Sequence, residues 1–407
     1  MAEVRPFAAV RYDPSRVGDL GAVIAPPYDV ISPAEQEALY ARSPWNVVRL
    51  ILGREPDRAA EARRTLEAWM ASGVLRRDPG PALYRYTQTF TAPGGVRRCR
   101  DGVLCRLRLE PFSSGVVRPH ERTLAGPKAD RLAVLRATGA HLSPIFGLYA
   151  RPGERVAQVL GAAALGAPDV AITDDAGHEH RLWRVTDAAA VARFAAALAD
   201  ETVIIADGHH RYETALAYRD EQRGAGASAY VLAFLANMEE DGLVILPTHR
   251  LVRGPLGLDA AALEAALRRI GRVEPLVAGA PRPAGAIDVV LRDRRLRVYP
   301  GPAARAALAP LPPAVRALDV AVLHGAILGP LLGVGVDALA FTHDDAEAVA
   351  AVETGRAAAA FLLNPPSLAA VRAVCLAGEL MPEKSTYFYP KLASGLVFDL
   401  VGPPWIC

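Results

Sequence analysis

Apolar and polar positions alternate in short blocks along this chain, and the period of the blocks changes often. Residues 82–112, ALYRYTQTFTAPGGVRRCRDGVLCRLRLEPF, alternate on a two-residue period either side of a Pro-Gly-Gly turn, which predicts two paired strands. SPIFGLYA (143–150), HRLWRVT (180–186), YVLAFLAN (230–237), LVILPTHRLV (243–252), IDVVLR (287–292) and LRVYP (296–300) read as further strands. TVIIA (202–206) is an unbroken apolar run, the pattern of a strand covered on both faces. Helices are predicted over 33–42, with Ser32 as N-cap and Pro33 at the first position, and over 57–72, ended by Gly73. Others fall at about 154–165, at 187–198, at 212–224 and at 259–270. NVVRLIL (46–52) is rich in β-forming residues and predicts a strand, and 117–132 predicts a polar loop leading to a helix. His178 and His180 fall on one face of a strand expected to meet solvent, and His343-Asp344-Asp345 reads as a helix start.

This mixed order of strands and helices gives an α+β (mixed α/β) fold. Gly- and Pro-rich joints near 151–153, 254–257 and 278–285 suggest three domains, 1–150, 151–255 and 256–407. Composition narrows the picture. Hydrophobic residues are 51% and charged residues 22%, which excludes a mainly disordered chain. Basic and acidic residues number 46 and 44, so no overall field would recruit nucleic acid or anionic lipid. Only Lys128, Lys384 and Lys391 among the basic residues are lysines. Cys99, Cys105, Cys375 and Cys407 form no CxxC pair, and the N-terminal residues lack the apolar run of a secretory signal. The apolar stretch Val320–Val336 holds four glycines and a proline, and is shorter than the ~20 residues of a membrane span. A soluble, reduced, cytoplasmic protein without a membrane partner is expected.

The sharpest chemical signal is TVIIADGHHRYETALAYR (202–219). A buried strand ends, Gly208 allows close backbone approach, and a helix begins directly after. A helix N-terminus presents N–H groups and the positive end of the dipole, a cradle for phosphate. Arg211 can fork two phosphate oxygens, and His209 and His210 can donate hydrogen bonds or a proton. Asp207 can bind Mg²⁺ or accept a proton from a hydroxyl. In the 117–132 segment His120, Glu121 and Lys128 could add a general base and phosphate ligands. Thr248, His249 and Arg250 end an apolar strand and could face the same anion. Lys384 and Lys391 lie within MPEKSTYFYPKLASGLVF (381–398) and could close over an anionic substrate; Lys-Ser-Thr at 384–386 lacks the glycines of a P-loop. The stiff APPYDV loop could present Tyr28 and Asp29 to the site.

ADGHHRYETA resembles the signature loop of the ParB/sulfiredoxin superfamily, and is closest to its free-serine-kinase form, Asp-Gly-His-His-Arg. Where sulfiredoxins have a reactive cysteine this chain has His209, which argues against that chemistry. Over most of the chain, RPFAAVRY, VIAPPYDVIS, NVVRLIL, PHERTLAGPKADRL, SPIFGLY, ADGHHRYETAL, LPTHRLV and MPEKSTYFYPKLASGLVF resemble, in order, the bacterial and archaeal DUF1015 family. Together the resemblances imply a ParB/sulfiredoxin-like nucleotide-binding core with additional α+β segments. They imply a phosphotransferase using ATP or ADP with Mg²⁺ on a small hydroxyl metabolite, free serine being one candidate. Asp207 or Glu121 would orient the acceptor hydroxyl. Arg211, Gly208, His209 and His210, with His120, Lys128, His249, Arg250 and Lys384, would hold the phosphates. The rival readings are a small-molecule phosphatase and a ParB-like nucleotide switch on DNA. The near-zero net charge and the lack of a basic stripe argue against the latter.

Overall fold

The computed structural model describes residues 1–122, 125–277 and 279–402, and only the backbone of 125–127. Thr123 and Leu124 of the expected polar loop, Ala278 of the last joint and Cys407 lie outside the described residues. The chain forms two compact units, residues 1–119, 123–244 and 390–407 in the first and 120–122 and 245–389 in the second.

The first unit is built on a nine-stranded mixed sheet. Its strands are β1 (Val4–Arg5), β2 (Leu83–Thr91), β3 (Arg97–Arg108), β4 (Val117–Arg118), β5 (Ile145–Tyr149), β6 (Val170–Thr173), β7 (Glu179–Val185), β8 (Val203–Asp207) and β9 (Tyr230–Asn237). They run in the order β4-β8-β5-β9-β3-β2-β7-β6, with β1 paired to β3. β2 and β3 form the expected hairpin, and its turn needs Gly94 and Gly95 at φ of +90° and +82°. Strands from both sides of residue 150 share this sheet, so the joint expected there runs inside the unit.

The helices of this unit include α1 (Pro33–Arg42), α2 (Val48–Ile51), α3 (Arg58–Ala71), α4 (Ala125–Thr138), α5 (Ala188–Leu198) and α6 (His209–Glu221). Ser32 and Glu35 close a capping box on α1, and Asp57 and Asp187 cap α3 and α5. One core packs Ala190, Phe194 and Leu198 of α5 and Tyr212 and Ala215 of α6 against Val103, Cys105, Ile205, Val231 and Leu235 of the sheet. A second core contains the correction to NVVRLIL. Residues 48–51 are helical, because the Asn46 side chain sets the turn ahead of them: its Oδ1 accepts from the Val48 amide at 2.9 Å while Nδ2 donates to the Ala22 and Ile24 carbonyls. Val47, Val48, Leu50 and Ile51 are all buried with Leu66 and Trp69, and an apolar run buried on every side carries no period to separate helix from strand. The loop expected over 117–132 is likewise corrected: it contains β4 and the first turns of α4, which place Lys128 and Arg131 on a helix.

The chain returns to the first unit at its C-terminal end. Phe398 exchanges backbone hydrogen bonds with Val10, and buried Asp399 accepts a forked pair from Arg106 at 2.8 and 2.9 Å. The string 381–398 is therefore divided between the two units.

The second unit holds a six-stranded antiparallel sheet of β10 (His249–Val252), β11 (Gly271–Pro275), β12 (Ile287–Val290), β13 (Arg295–Pro300), β14 (Leu339–Thr342) and β15 (Ala359–Leu362), in the order β11-β13-β12-β15-β10-β14. Helices α7 (Ala260–Ile270), α8 (Asp345–Glu353) and α9 (Leu368–Leu376) accompany it, and α8 has Asp344 as its N-cap, as His343-Asp344-Asp345 suggested. The apolar stretch from Val320 is helical as far as Leu332, with a π-helical segment over Leu323–Leu328, and no helix among the described residues is long and apolar enough to cross a membrane.

Candidate functional site

β8 delivers Asp207 to the edge of the buried sheet. Its pairing with β5 slips between Ile205 and Asp207, a bulge that re-aims the strand end. Gly208 then takes φ +89° and ψ +29°, and α6 opens at His209. His209, His210 and Arg211 are therefore its first turn rather than a loop before it. Polar residues are at home in a first helical turn, so polarity alone placed the start three residues late. Glycine is required at 208: besides the left-handed φ, a Cβ would sit 3.0 Å from the Arg211 guanidinium carbon.

The side chains around this turn form an ion cluster. Arg211 Nη2 donates to Asp207 Oδ2 at 2.5 Å, its Nη1 donates to the Pro144 carbonyl, and Lys391 Nζ donates to Asp207 Oδ1. The side chains of Asp207, Arg211 and Lys391 are only 14%, 12% and 12% exposed. Burial pushes the Asp207 carboxyl up, but Lys391 and Arg211, with His209, outweigh it and hold it well below the usual carboxylate range. So held, Asp207 is a weak base and a strong clamp for two cations. One carboxylate against two permanent cations leaves a net positive charge at the start of α6, where the helix dipole has the same sign.

Lys391 is itself positioned by a buried relay. Gln88 Nε2 donates to the Lys391 carbonyl at 3.1 Å, and Arg100 Nη2 donates to the Pro390 carbonyl at 2.6 Å and to Gln88 Oε1. Arg100 is fully buried over the Phe146 ring, and burial lowers its pKa only to about 10, so it stays charged at neutral pH. Sequence reasoning selected Lys384 as a phosphate ligand, whereas Lys391 reaches Asp207. The rarity of lysine was the available signal for it; Arg100 and Gln88 had none.

The remaining expected residues divide by unit. Lys128, on α4, reaches Glu213 of α6 at 2.6 Å. His120, Glu121, His249, Arg250 and Lys384 belong to the second unit. There the His120 carbonyl accepts from the Met381 amide at 2.8 Å, and its Nε2 meets Thr386 Oγ1 at 2.7 Å. Glu121 bridges to Met381. Fully buried Arg250 donates to the carbonyls of Thr248 and Glu383 and to His324 Nε2; burial lowers its pKa to about 9, against the pull of the Glu121 charge. His249 is also fully buried, with Nε2 2.6 Å from Asp345 Oδ1 and Nδ1 accepting from the Leu363 amide. These contacts make His249 and Arg250 interior anchors of their unit.

Two further expectations are corrected. His178 and His180 do not face solvent: both are buried and meet Asp174 Oδ2 at 3.1 Å, and His180 Nδ1 lies 2.6 Å from the Tyr86 hydroxyl. Nor do the residues at Asp207 fit a protein-held Mg²⁺. Both carboxylate oxygens are taken by cations that would repel a dication, and among the described residues no three His, Cys, Asp or Glu side chains are grouped to hold a metal.

Sheet, bulge, left-handed glycine and paired cations define an α+β protein with an electropositive turn at a helix N-terminus. The chain belongs to the family described as Protein of unknown function (DUF1015), whose model matches residues 4–321. No curated protein matches it. Among solved structures it is similar to a conserved hypothetical protein from Pyrococcus furiosus, at 14% identity and a TM-score of 0.35 over 70% of this chain and 92% of that one. It is similar to a free serine kinase in complex with AMP, at 15% identity and a TM-score of 0.35 over 69% and 89%. SbnI with a C-terminal truncation, from Staphylococcus aureus, matches at 12% identity and a TM-score of 0.38 over 73% and 87%.

Proposed function

We propose that the first unit is the core of a nucleotide-dependent phosphotransferase acting on a small hydroxyl metabolite. The observation that carries this reading is the pair of cations, Arg211 and Lys391, fixed on one carboxylate beside a helix that opens at a left-handed glycine. Phosphoryl transfer asks a protein mainly for positioning and charge neutralisation, and this turn supplies both. The phosphates of ATP or ADP would lie against the first turn of α6. Arg211 and Lys391 would share their protons between Asp207 and the phosphate oxygens, with His209 and His210 as further donors. Any Mg²⁺ would arrive on the nucleotide's own phosphates. Resemblance of the Asp-Gly-His-His-Arg string to the free-serine-kinase form makes serine the first acceptor to try. Because its partners depress the basicity of Asp207, the acceptor hydroxyl would be oriented by a carboxylate rather than fully deprotonated by it. Asp207→Asn tests that role: transfer should fall further than nucleotide binding does.

The test is incubation of the full chain with Mg²⁺, ATP or ADP and a panel of amino acids and sugars. Donor consumption that requires one acceptor, and that falls in Arg211→Lys and Lys391→Met, supports the reading. Absence of any nucleotide or pyrophosphate binding, or binding indifferent to both substitutions, overturns it.

A further inference from the structure

Beside the 207–211 turn, within the first unit, lies an open pocket of about 470 Å³ with the solvent at its mouth included. Ile51, Val134, Leu135 and Leu142 give it apolar walls, and Arg211 stands in its lining. Thr214, three positions after Arg211 and so on the same face of α6, also lines it. Thr214 is 5% exposed, yet its Oγ1 has no hydrogen-bond partner. A buried hydroxyl left unmatched costs about 1–3 kcal/mol, and a helical threonine usually avoids this by bonding a carbonyl of its own helix. The fold thus leaves this hydroxyl unmatched at the pocket wall, for something that enters there to pair with.

The lining restricts what that is. A free amino acid would need an acidic partner for its ammonium group, and no Asp or Glu lines the pocket among the described residues. A sugar would need polar partners all round, whereas Ile51, Val134, Leu135, Ala140 and Leu142 leave part of the wall aliphatic. His141, also in the lining, is held toward its neutral form by burial and engages the Tyr230 carbonyl at 3.1 Å. The Tyr28 ring, with the Arg131 guanidinium 4.2 Å over it, adds a flat aromatic surface. A nucleobase has the required form: two apolar faces, a polar edge, and a link to phosphates at one end.

We infer that this pocket takes the nucleobase end of the nucleotide, with Thr214 Oγ1 hydrogen-bonding the base edge and Arg211 marking the phosphate end. The inference rests on the phosphotransferase reading above and goes further by assigning Thr214 a role in base selection. The acceptor then binds outside this pocket.

Titration calorimetry on the full chain tests it, with adenosine, guanosine, cytidine, their triphosphates, inorganic triphosphate and pyrophosphate as probes. One base is expected to be preferred, as nucleoside and as nucleotide. Thr214→Val should weaken that nucleoside and its nucleotide by about 2- to 12-fold, the value of one neutral hydrogen bond, and leave pyrophosphate unchanged. Its melting temperature should hold or rise, because an unmatched buried hydroxyl is lost, and Thr214→Ser should retain base preference. Nucleotides that bind no better than inorganic triphosphate, or a base preference indifferent to Thr214→Val, would overturn the nucleobase assignment and leave the phosphate turn standing. Failure of pyrophosphate and of every nucleotide to bind would remove both.

Discussion

Replacing Lys391 by methionine tests the ion cluster most directly, since methionine keeps much of the aliphatic stem and deletes the charge. The pair it breaks is largely out of water, with 12% and 14% of the two side chains exposed. Stripping a buried charge of its only partner costs about 3–5 kcal/mol. Arg211 remains on the other oxygen of Asp207, so the loss should be nearer one charge-assisted hydrogen bond, about 1.5–3 kcal/mol. For a unit of this size each kcal/mol moves the melting point by about 2–4 °C, giving a fall of roughly 3–12 °C. The local net charge drops to zero, so pyrophosphate affinity at low salt should fall by about 10- to 150-fold, with a shallower salt dependence. The pH response has a defined sign. The folded-state pKa of Asp207 is depressed, so its stabilising contribution is present above the ordinary carboxylate range, near pH 4, and is lost as pH falls below it. In Lys391→Met that pKa rises, and acid unfolding should become less steep. Calorimetric binding and thermal melting on one preparation separate the outcomes, and adding Asp207→Asn closes a cycle in which that change, now unpairing Arg211 alone, should cost less in Lys391→Met than in the wild type, where it unpairs two cations. Full pyrophosphate affinity per folded molecule, whatever the melting point, would refute the role given to this cation.

Arg211→Lys should lose about 10- to 150-fold in nucleotide affinity while keeping the fold, because an ammonium cannot reproduce the fork that spans Asp207 and the Pro144 carbonyl; a melting defect with intact binding would make Arg211 purely structural. Gly208→Ala forces a Cβ onto φ +89° and toward the Arg211 guanidinium, so about 1–2 kcal/mol of stability and part of the anion affinity should be lost; parallel melts and pyrophosphate titrations that match the wild type would contradict this. In the second unit, burial and the neighbouring Arg250 lower the pKa of His324 from 6.5 to about 4. Below pH 6.5 the unfolded chain binds a proton that the folded one refuses, so stability should fall, on the order of 3 kcal/mol, between about pH 6.5 and 4. His324→Gln should flatten that slope in denaturant melts at pH 4.5 and 7.5, and an unaltered slope would remove His324 as its source.

Much of the sheet could be read from the chain. The 82–112 hairpin, the buried 202–206 run and the capped helices after Ser32, Asp57 and Asp187 each carry a local pattern strong enough to fix their form. Residues 46–52 failed for a physical reason: the cue was the amide of Asn46 bonding carbonyls more than 20 residues earlier, which no window of sequence contains. The core of the candidate site was legible because Asp207, Gly208 and Arg211 are neighbours in the chain. Its second cation was legible only as a candidate, one of two rare lysines near the C-terminal end, since Lys391 meets Asp207 across 184 positions and is held by Arg100, one of many arginines. Histidines 178 and 180 misled for a similar reason, because Asp174 and Tyr86 make a buried polar network that side-chain polarity alone would assign to solvent.

The strand ends that complete the first unit are separated from the rest of it by residues 245–389. On a ribosome, β8 and α6 emerge long before Pro390, Lys391 and Asp399 are synthesised. During that interval Asp207 has Arg211 but lacks its second cation, Arg106 lacks its carboxylate, and Arg100 lacks the Pro390 carbonyl. A nascent first unit is thus held short of its final charge balance until residues 390–399 have been made. Released fragments ending near residue 389 should accordingly be sensitive to protease within the first unit, and fragments extended past Asp399 should be protected. Translation itself would then set the moment at which an anion first finds its cradle.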